Sequence, residues 1–427
     1  MASSKGAALT SLQPPHFTIN LSLPPQQRYT HLVSTFASEF STLPSLFDDL
    51  ILSVRPSISM PLVRNFARLF LRRAYTLEET AELRGIQKAT GIEMYLLVAF
   101  NVLLDLLMGC TSGGVRVRDA DGVWSEETRM LHFRTLDWGM EPLRKLIVNL
   151  DFVEREGGLV IASTITYFGF VGVLTGVKPG LSMSLNFRPG HDASTNWNNW
   201  KFYGHHLMVL FGFRPAICSV LRQCLLPSKR KLDGITYPAT LETLERDIPP
   251  LPSTAAYLIF SNGSRTITIE KDNRSAFLAS SEDFIVALNH DVGDEPPPKK
   301  PKSKATTHQS TTKEYTKSET LKKTGMDDLV KYSITRKKCV VGLWTQATSP
   351  KELSASRRRE AARSDIEIAG TNNNSEPPSV SMSTLERWMD SEAITNEETH
   401  FACVMDPKVG RVVWIKRYVE PVSGKAL

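Results

Sequence analysis

The sequence predicts an α+β chain, on a change of hydrophobic period near residue 110 and on helical stretches that interrupt the strands beyond it. From Arg28 to Met108 apolar residues recur every three and four positions, the spacing of amphipathic helices. After Cys110 short runs rich in β-forming residues take over, several of them closed by tight turn signals such as Ser261-Asn-Gly-Ser264 and Asp406-Pro-Lys-Val-Gly410. Antiparallel hairpins follow from that pattern.

In the helical leader, Thr76-Leu-Glu-Glu79 reads as a capping box and Gly91 as a helix stop. Ile92 to Met108 is the most hydrophobic stretch, but Glu93, Asn101 and Asp105 interrupt it and it falls short of the ~20 residues of a membrane span. A buried helix is expected there. The β runs fall at Met130–Trp138, Leu159–Leu174, Leu181–Arg188, Ala255–Ser261, Thr266–Lys271, Phe284–Asn289, Phe401–Met405 and Val412–Lys416, with helices at His205–Leu225 and Thr240–Asp247. Two polar inserts, Gly293–Lys323 and Arg363–Met382, bury too little apolar surface to offset their ordering entropy and are expected to be mobile.

With 427 residues, 41% of them hydrophobic and 22% charged, the chain has material for a large core or two domains. The formal charge of +6 sits largely in short runs, which argues against a nucleic-acid partner. Cys110, Cys218, Cys224, Cys339 and Cys403 are widely spaced, with no Cys-x-x-Cys pair, so neither a disulfide framework nor a metal site is expected. The residues after Met1 lack the basic-then-apolar run of a secretory signal, and a cytoplasmic location is favoured over lysosome or vacuole.

Cys110 stands where the apolar helix gives way to β structure. Alone, a cysteine there reads more readily as a packed free thiol than as a nucleophile. Arg134 and Asp137 on the next β run change its surroundings, because a cation lowers a thiol's pKa of about 8.5 and a carboxylate can hold an ammonium. A surface ion pair on a strand is the alternative for those two.

Five blocks resemble the acid ceramidase and N-acylethanolamine acid amidase family, in its fungal-type branch: Pro14-Pro-His-Phe-Thr-Ile-Asn-Leu21, Cys110-Thr-Ser112, Arg134-Thr-Leu-Asp137-Trp-Gly139, Gly172-Val-Leu-Thr-Gly-Val-Lys-Pro-Gly180 with Ser184-Leu-Asn-Phe-Arg188, and Phe284-Ile-Val-Ala-Leu-Asn289-His-Asp291. Their order matches throughout. The resemblance implies an αββα sandwich of the N-terminal-nucleophile hydrolases, without cofactor. It further implies self-cleavage between Gly109 and Cys110, with residues 1–109 as a bound small subunit and 110–427 as the catalytic subunit. In catalytic roles it implies Cys110 as nucleophile, Arg134 and Asp137 beside it and Asn289 as oxyanion donor; in substrate-binding roles, Asn186 and Arg336. For Arg336 the register slips toward Arg357, Arg358 or Arg359 if the Lys-rich insert is counted differently. Arg188 is expected in a structural pair.

The implied reaction hydrolyses the amide bond of an N-acyl lipid, ceramide or N-acylethanolamine, through an acyl-thioester on Cys110. Its groove is expected near Phe168, Phe170, Phe187 and Trp197, although plain core is the commoner fate of such aromatics. Leu62 to Arg73, with Arg64, Arg68, Arg72 and Arg73, suits a transient membrane-surface contact, although a solvated helix face is the commoner fate of such a pattern. Two rival readings are a non-catalytic lipid-binding or scaffold protein on the same fold and a papain-like protease, for which no histidine stands out as partner.

Overall fold

A computed structural model describes residues 12–103, 109–118, 128–228, 231–296, 326–349 and 377–422. The leader opens with strand β1 (His16–Asn20) and continues in helices α1 (Val33–Phe40), α2 (Leu43–Val54), α3 (Met60–Phe70), α4 (Leu77–Thr90) and α5 (Met94–Leu103). Thr76 and Glu79 form the reciprocal capping box of α4, and Gly91 closes that helix at φ 76°, a backbone angle that favours glycine.

Strands β2 (Gly109–Val117), β3 (Arg129–Asp137), β4 (Ile147–Val153), β5 (Val160–Tyr167), β6 (Thr175–Lys178) and β7 (Leu181–Phe187) come next. Helices α6 (Asn196–Leu210), α7 (Ile217–Leu225) and α8 (Leu241–Asp247) precede β8 (Ala256–Ser261), β9 (Thr266–Asp272), β10 (Ser275–Ser281) and β11 (Phe284–Ala287). The chain then forms α9 (Met326–Ala347), α10 (Met382–Met389), β12 (Thr399–Asp406) and β13 (Arg411–Arg417).

Two sheets result: eight strands in the order β1-β4-β5-β6-β7-β8-β9-β10 and five in the order β11-β2-β3-β12-β13. All pairs are antiparallel except β1 with β4. Strands β2 and β3 pack across β7 and β8, making a sandwich. Alternation along each strand sets the layers. Met183, Leu185, Leu258 and Phe260 face outward into a core shared with α1, α4, α5, α7 and α8, whereas Val115, Leu131, Phe133 and Val404 face α9 and α10 on the far side. The fold is therefore α+β with helices outside both sheets, as expected.

Several expectations are corrected. The single helix over His205–Leu225 is two, because Gly212 at φ 68° and Pro215 break it. Strands β1, β4, β6 and β10 were not anticipated, and the β run over Leu159–Leu174 ends at Tyr167. The edges of both polar inserts are ordered: Val292–Asp294 is a 3-10 turn, Val380 bridges to Val117, and α10 starts at Met382. The remainder of both inserts, with Arg357, Arg358 and Arg359, lies outside the described residues.

Candidate active site

Strand β2 begins at Gly109, so Cys110 is its second residue, opposite Leu136 of β3, while Gly109 stands opposite Asp137. Gly113 and Gly114 let this strand pass close to its neighbours: a Cβ at Gly113 would overlap the Ile285 carbonyl, and one at Gly114 the Thr266 side chain. The close approach brings β11 alongside, with Ala287 opposite Ser112, and delivers Asn289 to the start of β2.

Cys110 is fully buried between the sheets. Arg134 Nη2 donates to its sulfur at 3.4 Å and Nη1 to the Leu185 carbonyl at 2.7 Å. Burial pushes the thiol up to about 11, and Arg134 opposes that rise. In this continuous chain the Cys110 N–H donates to Asn289 Oδ1 at 2.8 Å. Asn289 is oriented in turn by its own Nδ2, donating to the Phe187 carbonyl at 2.7 Å, and by its backbone N–H, donating to Ser333 Oγ at 2.8 Å.

Asp137 ends β3, and both of its carboxylate oxygens are engaged. Thr399 Oγ1 donates to Oδ1 at 2.6 Å and Arg336 Nη1 to Oδ2 at 2.6 Å. Arg336, nearly buried on α9, also donates to Thr111 Oγ1 at 2.8 Å and to the Ile394 carbonyl. Cys110, Arg134, Asp137, Asn289 and Arg336 therefore converge at one end of the five-stranded sheet, and Arg336 is the arginine that reaches Asp137.

The two residues expected to bind substrate are committed elsewhere. Asn186 is fully buried: Ser112 Oγ donates to its Oδ1 at 2.7 Å, and its Nδ2 donates to the carbonyls of Ala287 at 2.9 Å and Leu288 at 3.3 Å. It ties β7 to the segment carrying Asn289. Arg336 faces a carboxylate rather than a cavity. Both position other site groups.

Arg188 pairs with Asp291 at 2.7 Å, as expected. Phe168 and Phe170 are core, Phe168 stacking on Phe36 with ring centres 5.1 Å apart; Phe187 is half-buried and Trp197 exposed. The arginines of α3 are paired, Arg64 with Asp48 and Arg68 with Glu93, and Arg73 lies over the Phe213 ring at 5.2 Å. Thr399 and Ser333 escaped the sequence reading, since a serine or threonine distant in the chain from its partner carries no local signal. Among the described residues no group of acidic, histidine and cysteine side chains could hold a metal ion, and no helix is long and apolar enough to cross a membrane.

Beside the site, Leu46, Phe47, Leu96, Phe100, Trp138 and Leu143 line a narrow apolar crevice. Trp138 directly follows Asp137, so crevice and carboxylate share one turn of chain.

Residues 13–75 match the family described as the beta subunit of N-acylethanolamine-hydrolyzing acid amidase. Acid ceramidase of Rattus norvegicus is 33% identical over 189 residues, 41% of this chain and 45% of that protein. N-acylethanolamine-hydrolyzing acid amidase of Caenorhabditis elegans is 30% identical over 187 residues, 41% of this chain and 48% of that protein. The chain thus spans about half the length of the curated relatives it matches. A solved structure of a Caenorhabditis elegans ortholog of that amidase aligns at a TM-score of 0.41 and 19% identity, over 72% of this chain and 99% of its own.

Proposed function

We propose that the chain, which resembles acid ceramidase and N-acylethanolamine-hydrolyzing acid amidase over 41% of its length, is a self-cleaving cysteine amidohydrolase of N-acyl lipids with Cys110 as nucleophile. The observation that carries this reading is what surrounds Cys110: its nitrogen on Asn289 Oδ1, its sulfur against Arg134, and Asp137 paired opposite Gly109.

In the first step Cys110 Sγ adds to the Gly109 carbonyl carbon. The C–N bond breaks, the thiol proton goes to the departing nitrogen, and a thioester and a free α-amine remain. Water then attacks the thioester, restoring the thiol and leaving Gly109 as a carboxylate. The cut matters because an amide nitrogen cannot take a proton, whereas an α-amine of pKa about 7.7 can. With its thiol pushed up to about 11 and no amine beside it, the uncut chain is silent toward substrate.

In the second reaction the same sulfur attacks the substrate's amide carbonyl. Asn289 donates to the oxyanion, a contribution of roughly 3 kcal/mol in comparable hydrolases. Arg134 stabilises the thiolate, and Asp137 holds the α-ammonium. That ammonium gives its proton to the leaving amine, and water releases the fatty acid from Cys110.

Residues 1–109 stay attached as a small subunit in this reading. Two observations support it: β1 is a strand of the eight-stranded sheet, paired with β4, and Phe36 and Phe40 lie in the core that the sheet shares. An acyl chain would enter along the apolar crevice beside Trp138, which must widen to hold it. Exposed Phe66 and Leu69 on α3, with Trp197, Trp200 and Tyr203 on α6, supply an apolar surface for transient contact with lipid. That contact runs through aromatic and aliphatic groups, since Arg64 and Arg68 are already paired. Cys339, an exposed free thiol, fits a reducing, cytoplasmic setting.

Fatty-acid release from ceramide and N-acylethanolamines of several chain lengths tests the proposal. Release by the native chain and none by Cys110→Ala is expected. Lipid binding without product in either protein would instead support the non-catalytic scaffold.

A further inference from the structure

Residues 137 and 138, at the end of β3, are held from one short segment, Glu398 to His400, where β12 begins. The Thr399 hydroxyl donates to Asp137 Oδ1 at 2.6 Å, the Trp138 N–H donates to the Glu398 carbonyl at 2.8 Å, and His400 Nε2 lies 2.8 Å from the Trp138 carbonyl. Adjacent side chains of a regular strand leave on opposite faces. Here the β3–β12 register slips between Thr399 and Phe401, so that His400 has no residue opposite it. An irregularity of that kind re-aims a side chain.

His400 is fully buried, and its other ring nitrogen, Nδ1, lies 2.8 Å from the Tyr167 hydroxyl on β5 of the opposite sheet. A carbonyl can only accept, so Nε2 carries the ring proton, Nδ1 accepts, and the Tyr167 phenol donates. Every link of the chain from Tyr167 through His400 to the Trp138 carbonyl is thereby assigned a direction. Burial, with the Arg144 charge nearby, pushes the imidazole down to about 3, so it stays neutral near pH 7.

We propose that His400, oriented by Tyr167, is a positioning residue of this site: by fixing the Trp138 carbonyl, in the Trp138–Gly139 peptide, it holds Trp138 in place and so sets the distance from the Asp137 carboxylate, one residue earlier, to the nitrogen of Cys110. The inference rests on the nucleophile proposed above. Neither His400 nor Tyr167 touches the reacting atoms. Asp137 already takes hydrogen bonds from Thr399 and Arg336, and the α-ammonium would be its third partner, so a small rotation of this segment alters that contact first. A carboxylate beside an amine raises the amine's pKa; drawing it back lowers that pKa and moves the corresponding limb of the pH profile to lower pH.

The test uses the full chain with His400→Leu, Tyr167→Phe, His400→Gln and the double variant Tyr167→Phe/His400→Leu. Intact mass follows the appearance of a fragment beginning at Cys110, and kcat/KM for an N-acylethanolamine is measured against pH. His400→Leu is expected to slow both by roughly 10- to 100-fold, the scale set by small misplacements of catalytic groups, and to shift the amine limb toward acid. Tyr167→Phe moves the same limb by less. His400→Gln, whose amide can donate to the carbonyl and accept from the phenol, restores most of the rate.

The double variant separates positioning from stability. Removing both polar partners regains stability relative to His400→Leu, yet the chain stays slow. Variants with native rates and an unshifted limb, or a double variant whose rate recovers with its thermal midpoint, overturn the inference. If His400→Leu does not fold, Tyr167→Phe carries the same test. A native chain that neither cuts itself nor hydrolyses substrate overturns the nucleophile proposal and this inference with it.

Discussion

The two faces of the five-stranded sheet are built on opposite principles. Toward the other sheet, β2 and β3 present Cys110, Ser112, His132 and Arg134, and each finds a partner on β7: His132 lies 2.9 Å from the Ser182 hydroxyl and 2.8 Å from that of Ser184, Ser112 donates to Asn186, and Arg134 to the Leu185 carbonyl. Toward α9 and α10 the same strands present Val115, Val117, Leu131 and Phe133, packed on Val340, Leu385 and Trp388. Hydrogen bonds in a dry layer are directional, so the inner face fixes atoms in place. Apolar area is not, so the outer face supplies stability with more tolerance for change. The site lies at the sheet end where the faces meet, with Cys110 and Arg134 from one and Asp137 and Arg336 from the other.

The largest effect expected from breaking the inner face is at Cys110 itself. Cys110→Ala should abolish both self-cleavage and hydrolysis while leaving the thermal midpoint near that of the native chain, as calorimetry and product assay would read. Where the faces join, Arg336→Met strips a buried carboxylate of its cation. The loss should be roughly 3–5 kcal/mol in a denaturant titration, and adding Asp137→Asn should recover part of it.

On the outer face, Leu131→Ala should lower stability by roughly 2–5 kcal/mol while the kcat/KM of the folded fraction stays native. A large drop in kcat/KM without loss of stability would erase the distinction between the faces. The remaining effect is one of pH, graded across a window. Burial holds His132 and His400 neutral in the fold, both pushed from 6.5 down to about 3, so between those values the unfolded chain binds protons that the folded chain refuses. Stability should therefore fall as pH drops from about 6.5 toward 3, by about 1.4 kcal/mol per pH unit for each histidine. Denaturation midpoints across that window for the native chain and His132→Gln would show a shallower slope in the variant.

Local signals were the legible part of the sequence. The Thr76–Glu79 capping box, the Gly91 stop and most strand centres depend on neighbours in the chain, and they fold where their pattern says. The cluster of Cys110, Arg134, Asp137 and Asn289 was legible because its motifs stand in the order of the family they resemble. Long-range partnership was not. Thr399 lies 262 positions from Asp137 and looks like any strand threonine, and Asn186 resembled a substrate contact until β11 was seen to take its amide. Strand β4 did carry a signal, in the alternating apolar Val148, Leu150 and Phe152, while β1 depends on a parallel partner more than a hundred residues away. Gly212 and Pro215 likewise marked the break between α6 and α7 within what the periodicity joined.

If Cys110 becomes the first residue of a new chain, intact-mass spectrometry of the purified protein across acidic to neutral pH detects the cut. Two co-purifying fragments divided between Gly109 and Cys110 are expected, and one uncut chain for Cys110→Ala. A native chain that stays whole under every condition, yet still hydrolyses N-acyl lipids, would contradict that expectation.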